Sequence, residues 1–246
     1  VAHILERLAL SDAETIVDLG CGSGENTLEL ARRSARGTVL GIDGSPAMIE
    51  AAQRLLAQTA DGLRERVAFA VGDLAQFRAP QRYSVIFSNA ALQWIKDQRA
   101  VLRACFDALS AGGRIVVQIP ANELETGKRE LSALAGEPRW SALLDGLSRP
   151  FRDWPPEHYA SMLGELGYQD VDCYYHTFRH PMERAADVAE WYRATGLRPF
   201  LDALPADKRD EFLAAYVARL EHAYGTAGAM VFSFRRLFMW ARRPSG

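Results

Sequence analysis

Val17-Asp18-Leu19-Gly20-Cys21-Gly22-Ser23-Gly24 is the stretch on which the fold turns. Its first residues close a short apolar run, Thr15–Leu19, suited to a strand, and residues 26–33 carry the periodicity of a helix. Strand, glycine-rich turn and helix in that order put a ligand loop at the carboxyl end of a strand in an α/β sheet. Working outward, a second strand over 38–42 ends at Asp43, where Ser45 is an N-cap and Pro46 the first position of a helix running to Leu56. Val67–Val71, 83–88 and 114–119 supply three more apolar strands, and the helix over 98–109 is expected to be closed by Gly112-Gly113. Residues 1–10 read as an amphipathic helix with Ile4, Leu5, Leu8 and Leu10 on one side. Strands alternating with helices predict a doubly wound α/β fold, a parallel sheet with right-handed crossovers.

The rhythm breaks after Pro120. Residues 121–150 read as helical and irregular, 156–166 as a helix stopped by Gly167, and 171–178 as a strand. Residues 183–225 read as consecutive helices broken at Gly196, Pro199 and Pro205, before a last strand, Met230–Arg242. The expected organisation is a core over 1–178, a helical insertion over 179–229 that covers the acceptor site, and 230–246 returning a seventh strand to the sheet. Phe151, Trp154 and Tyr159 are expected to pack the insertion against it.

Composition sets bounds on partners. Hydrophobic residues make up 48% of the 246, charged residues 24%, and the formal net charge is −2, so nothing favours a nucleic-acid or membrane partner. Cys21, Cys105 and Cys173 lie far apart without metal-ligand spacing, which suggests reduced thiols, a cytoplasmic location and no metal. Monomer and homodimer stay equally open.

The chemistry gathers at strand ends. A dinucleotide fingerprint needs a third glycine where Glu25 stands, and no Gly-Lys-Ser/Thr follows the turn as a phosphate loop requires. The turn instead suits a ligand without phosphates. S-adenosylmethionine carries an ammonium, a carboxylate and a sulfonium; Asp18 can attract its cationic end, while Gly20, Gly22 and Gly24 let the backbone approach its methionine portion. Asp43, nineteen residues past Gly24, is placed to accept from the ribose hydroxyls. Asp73, after the third strand, is placed for the adenine amino group, and Asn89 with Ala90 and Ala91 for the floor near the methyl. Each of these acids alone would equally serve as a helix cap.

These residues resemble the cofactor motif of class I S-adenosylmethionine-dependent methyltransferases. A fuller set is similar to the trans-aconitate 2-methyltransferases: Gly41-Ile42-Asp43-Gly44-Ser45-Pro46-Ala47-Met48, Phe87-Ser88-Asn89-Ala90-Ala91-Leu92-Gln93-Trp94 and Val117-Gln118-Ile119-Pro120. Downstream stand Thr195-Gly196-Leu197-Arg198-Pro199, Arg236-Leu237-Phe238 and Ala241-Arg242-Arg243, with Arg235 where the family pattern favours proline. The likeness runs from about Ile16 to the C-terminus. It adds Cys21, Gly44, Met48, Leu74 and Trp94 to the expected cofactor contacts and implies methyl transfer to a carboxylate of a small polyanionic acid, giving a monomethyl ester.

An ionised carboxylate needs no general base, so positioning and exclusion of water would carry catalysis and no residue is expected to move a proton. Arg198 and Arg236 are candidates to hold the acid through their guanidinium forks, with a structural salt bridge as the competing role. Trp191, Tyr192 and His180 either line the same pocket or belong to the core. Two other classes remain: a methyltransferase for another O-, N- or C-acceptor, and a non-catalytic cofactor-binding subunit. A nucleic-acid amino-methyltransferase is disfavoured, because Asn89-Ala90-Ala91-Leu92 replaces the Asn/Asp-Pro-Pro-aromatic run it would carry.

Overall fold

A computed structural model describes residues 2–59, 62–79, 81–144, 154–193, 196–225 and 229–246. Phe151 and Thr195 lie outside them. Among these residues the chain divides into two compact units: Val1–Pro120, Pro150–Tyr175 and Leu237–Gly246 form the first, and Ala121–Arg149 with His176–Arg236 form the second. Residues 121–149, read from the sequence with the core, therefore cluster with the later helices.

Seven strands form one sheet in the order β3-β2-β1-β4-β5-β7-β6. They are β1 Thr15–Leu19, β2 Thr38–Asp43, β3 Val67–Val71, β4 Tyr83–Asn89, β5 Leu109–Pro120, β6 Gln169–Met182 and β7 Met230–Arg242. Val17 pairs with Leu40 on one side and Ile86 on the other, both in parallel register. Burial on both faces accounts for the unbroken apolar reading of β1 and β4. The order reverses between β1 and β4, which opens a crevice beyond their carboxyl ends.

The sheet is mixed, not wholly parallel as expected. The Arg243 N–H donates to the Gly113 carbonyl and the Ala121 N–H to the Arg235 carbonyl, so numbering rises along β5 as it falls along β7. Gly112-Gly113 also does not close a helix. Helix α4 (Gln98–Ala108) ends earlier, and the two glycines lie inside β5. The helix end is closed by Arg243, whose Nη1 donates to the carbonyls of Phe106 (3.2 Å), Asp107 (3.2 Å) and Leu109 (2.7 Å).

The remaining helices of the first unit are α1 (Ala2–Leu8), α2 (Glu25–Arg33), α3 (Pro46–Gln58) and α7 (Pro156–Glu165). The Ser45 hydroxyl caps α3 by accepting from the Met48 N–H, with Pro46 in the first turn. Helix α7 stops where Gly167 adopts φ +97°. The Phe69 ring of β3 occupies the space in which a Cβ on Gly24 or Gly41 would fall, at 2.8 and 2.6 Å. Glycine at both positions lets α2 and β2 close on that ring.

The second unit holds α5 (Thr126–Ala135), α6 (Pro138–Ser141), α8 (Ala186–Arg193), α9 (Arg198–Ala203) and α10 (Ala206–Tyr224). Its own apolar core gathers Leu131, Leu134, Trp140, Val188, Phe212, Tyr216 and Leu220, with Trp140 edge-on to Phe212 at 5.1 Å. Pro199 does not break a helix: it sits in the first turn of α9, where no N–H is needed. No helix of the described residues is long and apolar enough to cross a membrane.

Candidate functional site

The first unit carries a cleft of about 750 Å³ at the carboxyl ends of β1, β2, β3 and β4. Gly20, Cys21 and Gly22 line it from the β1 turn, Asp43, Gly44 and Met48 from the β2 end and the start of α3, and Asp73 and Leu74 from beyond β3. Asn89, Ala90 and Trp94 complete it after β4. Two expected contacts are not in the lining. Gly24 faces Phe69 and Ala52 rather than the cleft. Asp18 is 1% exposed, and its carboxylate accepts from the Thr27 hydroxyl at 2.6 Å.

The turn is held from β2. The N–H groups of Gly20 and Cys21 both donate to the Ile42 carbonyl, at 2.7 and 3.1 Å. Gly20 itself has φ +80°, and a Cβ there would collide with that of Ala91, so only glycine lets the turn lie against the segment after β4. Asp43 binds both sides of the cleft entrance, accepting from the Gly22 N–H at 3.0 Å and the Ser45 N–H at 2.9 Å. Asp73 caps the turn that follows it, taking the Ala75 N–H at 2.9 Å. For both acids the capping role and the place in the cleft are realised together.

Asn89 and Ala90 form the strained edge. Ala90 has φ +57°, a left-handed conformation unfavourable for a residue with a Cβ, and its N–H is fixed to the Gln118 carbonyl at 2.8 Å. The adjoining Asn89 Oδ1 is buried without a hydrogen-bond partner. Leaving such an acceptor unpaired is costly, and Asn89 lies in the cleft lining, within the space open to a ligand.

Charge in the cleft has one sign. Glu25, Asp43 and Asp73 line it, and no Lys, Arg or His of the described residues does. Burial, with Asp43 adding repulsion, pushes the Asp18 carboxyl up to about 7, against the smaller opposing effect of the Thr27 hydrogen bond. Burial likewise raises the Cys21 thiol to about 12, which removes it as a nucleophile. Ala91 lines the cleft beside Ala90, as expected, whereas Ser23, Glu25, Asn26, Val71, Gly72 and Ile95 are lining residues that the sequence does not single out. Their signal was adjacency: each lies within a residue or two of a position that was read.

The residues expected to hold the acid all lie in the second unit. His180 and Trp191 rings are 4.5 Å apart, Trp191 reaches Phe232 at 5.8 Å and Phe234 at 6.2 Å, and the Arg236 guanidinium stands 4.8 Å over Phe234. Phe232, Phe234 and Arg236 alternate along β7 and so share a face, a period-two pattern that was legible but unread. Burial lowers the Arg236 pKa, though a guanidinium remains charged. Trp191 is 38% exposed. Tyr192 belongs to the core: it is 2% exposed, and its hydroxyl accepts from Asn122 at 2.7 Å and donates to Glu125 at 3.0 Å. Arg198 pairs with Asp202 at 3.4 Å one turn along α9, on an exposed face. No group of three or more His, Cys, Asp or Glu among the described residues could hold a metal.

A family model described as a methyltransferase domain matches residues 16–113. A trans-aconitate 2-methyltransferase of Variovorax paradoxus is 36% identical, covering 99% of this chain and 92% of its own. The enzyme of that name from Methylobacterium radiotolerans is 35% identical with the same coverage. Among solved structures, the YcgJ protein of Bacillus subtilis superposes with a TM-score of 0.67 at 14% identity, covering 100% of this chain and 98% of that one. A phosphoethanolamine N-methyltransferase of Haemonchus contortus, solved with S-adenosyl-L-methionine, gives 0.61 at 17% identity over 99% of this chain and 52% of its own. These structures share the fold. The curated relatives share sequence from end to end, and by that measure the chain belongs to the trans-aconitate 2-methyltransferase family.

Proposed function

We propose that this chain is an S-adenosylmethionine-dependent methyltransferase that esterifies one carboxylate of a small polycarboxylic acid, with trans-aconitate, the acid in its relatives' name, as the first candidate. The observation that carries the cofactor assignment is the cleft's charge: three carboxylates and no cation among the described lining residues. Such a cleft repels nucleotide phosphates and suits a ligand bearing an ammonium, a sulfonium and hydroxyls. Asn89 Oδ1, buried and unpartnered, offers an acceptor to a donor of that ligand.

When bound, S-adenosylmethionine supplies an electrophilic methyl group that an acceptor oxygen takes by in-line displacement. The protein's part is placement. Asp43 fixes the glycine turn and the start of α3, and presents its carboxylate at the β2 end for the ribose hydroxyls. Asp73 is placed for the adenine amino group. Arg236, with His180 and Trp191 around Phe232 and Phe234, would recognise the acid, its fork matched to a carboxylate. The acid arrives ionised, so no side chain has to remove a proton. The aromatic cluster and Arg236 support assigning acceptor recognition to residues 176–236. Its cysteines are unbridged, and we place it in the cytoplasm as a monomer or homodimer.

Incubation with S-adenosylmethionine and trans-aconitate is expected to yield an acid one methylene heavier by mass spectrometry and labile to mild alkali. A methylated product resistant to alkali, or none from any di- or tricarboxylic acid offered, would sink the esterification reading. For the cofactor, Asp43→Asn is expected to weaken S-adenosylhomocysteine binding by about 1–3 kcal/mol, because a charged partner is replaced by an amide. Titration calorimetry checks this, and an unchanged affinity would remove Asp43 from the ribose role.

A further inference from the structure

A second hollow, of about 600 Å³, lies in the first unit. It is lined by Phe77, Arg78, Ala79, Gln81 and Arg82, which precede the first residue of β4, and by Ala100, Arg103, Ala104, Asp107 and Ala108 of α4, which leads into β5. It therefore sits at the amino-terminal edge of the strands, whereas the acidic cleft sits at their carboxyl ends. Ala100, Ala104 and Ala108 of α4 leave the space, and Phe77, 4% exposed, borders it.

The charge of this hollow is opposite to that of the cofactor cleft. Arg78, Arg82 and Arg103 line it with a single carboxylate, Asp107. Neither Arg78 nor Arg82 joins an ion pair among the described residues. Arg78 spends one nitrogen on the Phe77 carbonyl at 2.7 Å. Arg103 spends one on the Leu166 carbonyl at 3.0 Å and lies 3.9 Å from Asp107. Guanidiniums on a convex surface point apart into water and explain themselves. Here Arg78 and Arg82, without an ion pair among the described residues, line one concavity together with Arg103, in a chain whose net charge is −2. A cleft lined by one sign concentrates its field and draws in the opposite charge. Its volume falls in the ordinary range for small-molecule sites.

We propose that this hollow is a second ligand site, distinct from the methyl-transfer site, that binds a small polyanion carrying at least two carboxylate or phosphate groups. Arg82 and the nitrogens that Arg78 has left over can donate to two acidic groups, and the alanines of α4 leave room for the carbon skeleton between them. The site does not depend on the proposed reaction, since none of its residues lines the cofactor cleft.

The test is titration calorimetry on the full chain saturated with S-adenosylhomocysteine, at constant ionic strength, with tricarballylate and inorganic pyrophosphate as separate probes. At least one probe is expected to bind, and the difference between them says whether carboxylate or phosphate is preferred. The double variant Arg78→Gln/Arg82→Gln is expected to weaken that binding by about tenfold or more, with melting temperature and S-adenosylhomocysteine affinity unchanged. Arg236→Met is expected to leave binding in the hollow intact, which separates it from the acceptor site. Binding of neither probe in the millimolar range overturns the proposal. So does a probe held equally by the wild type and the double variant, or one lost only in Arg236→Met.

Discussion

Arg236→Met is expected to lower turnover of the acid by about 10²–10³-fold, the usual loss when one preorganised charged donor is removed from a reacting group. Steady-state kinetics measures it, and calorimetry with S-adenosylhomocysteine should show near-normal affinity, because Arg236 is not in the lining of the cofactor cleft. The size of the effect comes from where the guanidinium sits. It stands over the Phe234 ring, and its burial lowers its pKa. Attraction to a carboxylate is stronger there than in bulk water. Methionine keeps much of the stem volume, so packing against Phe234 survives while the charge goes. Arg236→Lys should recover part of the turnover, since it restores charge but not the two-pronged geometry. Loss of folding and of cofactor affinity together would make Arg236 a structural cation, and full turnover would remove it from acid recognition.

The second large effect concerns pH. Asp18 is buried, and its carboxyl is pushed up to about 7 in the folded chain, while an unfolded aspartate titrates near 3.9. Between those values the native state binds the extra proton, so stability falls as pH rises. The stabilisation is complete below about pH 4, is lost through pH 7, and amounts to about 4 kcal/mol at most. Glu14, lowered by its hydrogen bonds to Ser84 and Ser11 and by Arg114 against the pull of burial, acts in the opposite sense on the acid side. The clean measurement is therefore the difference between wild type and Asp18→Asn. Asparagine keeps an oxygen for the Thr27 hydroxyl and never ionises. Urea melts at pH 5 and pH 8 should show a marked loss for the wild type and a much smaller one for the variant. Equal slopes would mean that Asp18 ionises in place without penalty.

The cofactor half of this chain was legible because its chemistry is local. Gly20, Asp43, Asp73 and Asn89 each follow an apolar run directly, and a parallel sheet brings successive strand ends to one edge. Asp18 stays out of the lining because it sits inside β1: spacing shows that an acid precedes the glycines but not that its side chain turns toward Thr27. The direction of β7 was illegible for a related reason. An apolar strand reads the same both ways, and the bonds from Arg243 and Ala121 that set it join residues far apart in the chain. Gly112-Gly113 misled because a glycine pair marks a helix end and a strand irregularity equally well, and here the register shifts beside it between Tyr83 and Val85. In the second unit, Arg198 and Arg236 stood in equally specific motifs. Only packing distinguishes the exposed pair with Asp202 from the half-buried cation above Phe234.

The Phe69 ring binds the history of three positions together. It fills the volume that a side chain at Gly24 or Gly41 would need. A lineage that acquires alanine at 41 first needs a smaller residue at 69, and one that shrinks 69 while both glycines persist carries a void between α2, β2 and β3. Every single-step path thus passes through a clash or a hole, each costing about 1–3 kcal/mol. Descendants should accordingly fall into two camps, aromatic at 69 with two glycines or aliphatic at 69 with a larger residue at 41, and mixed ancestors should be scarce.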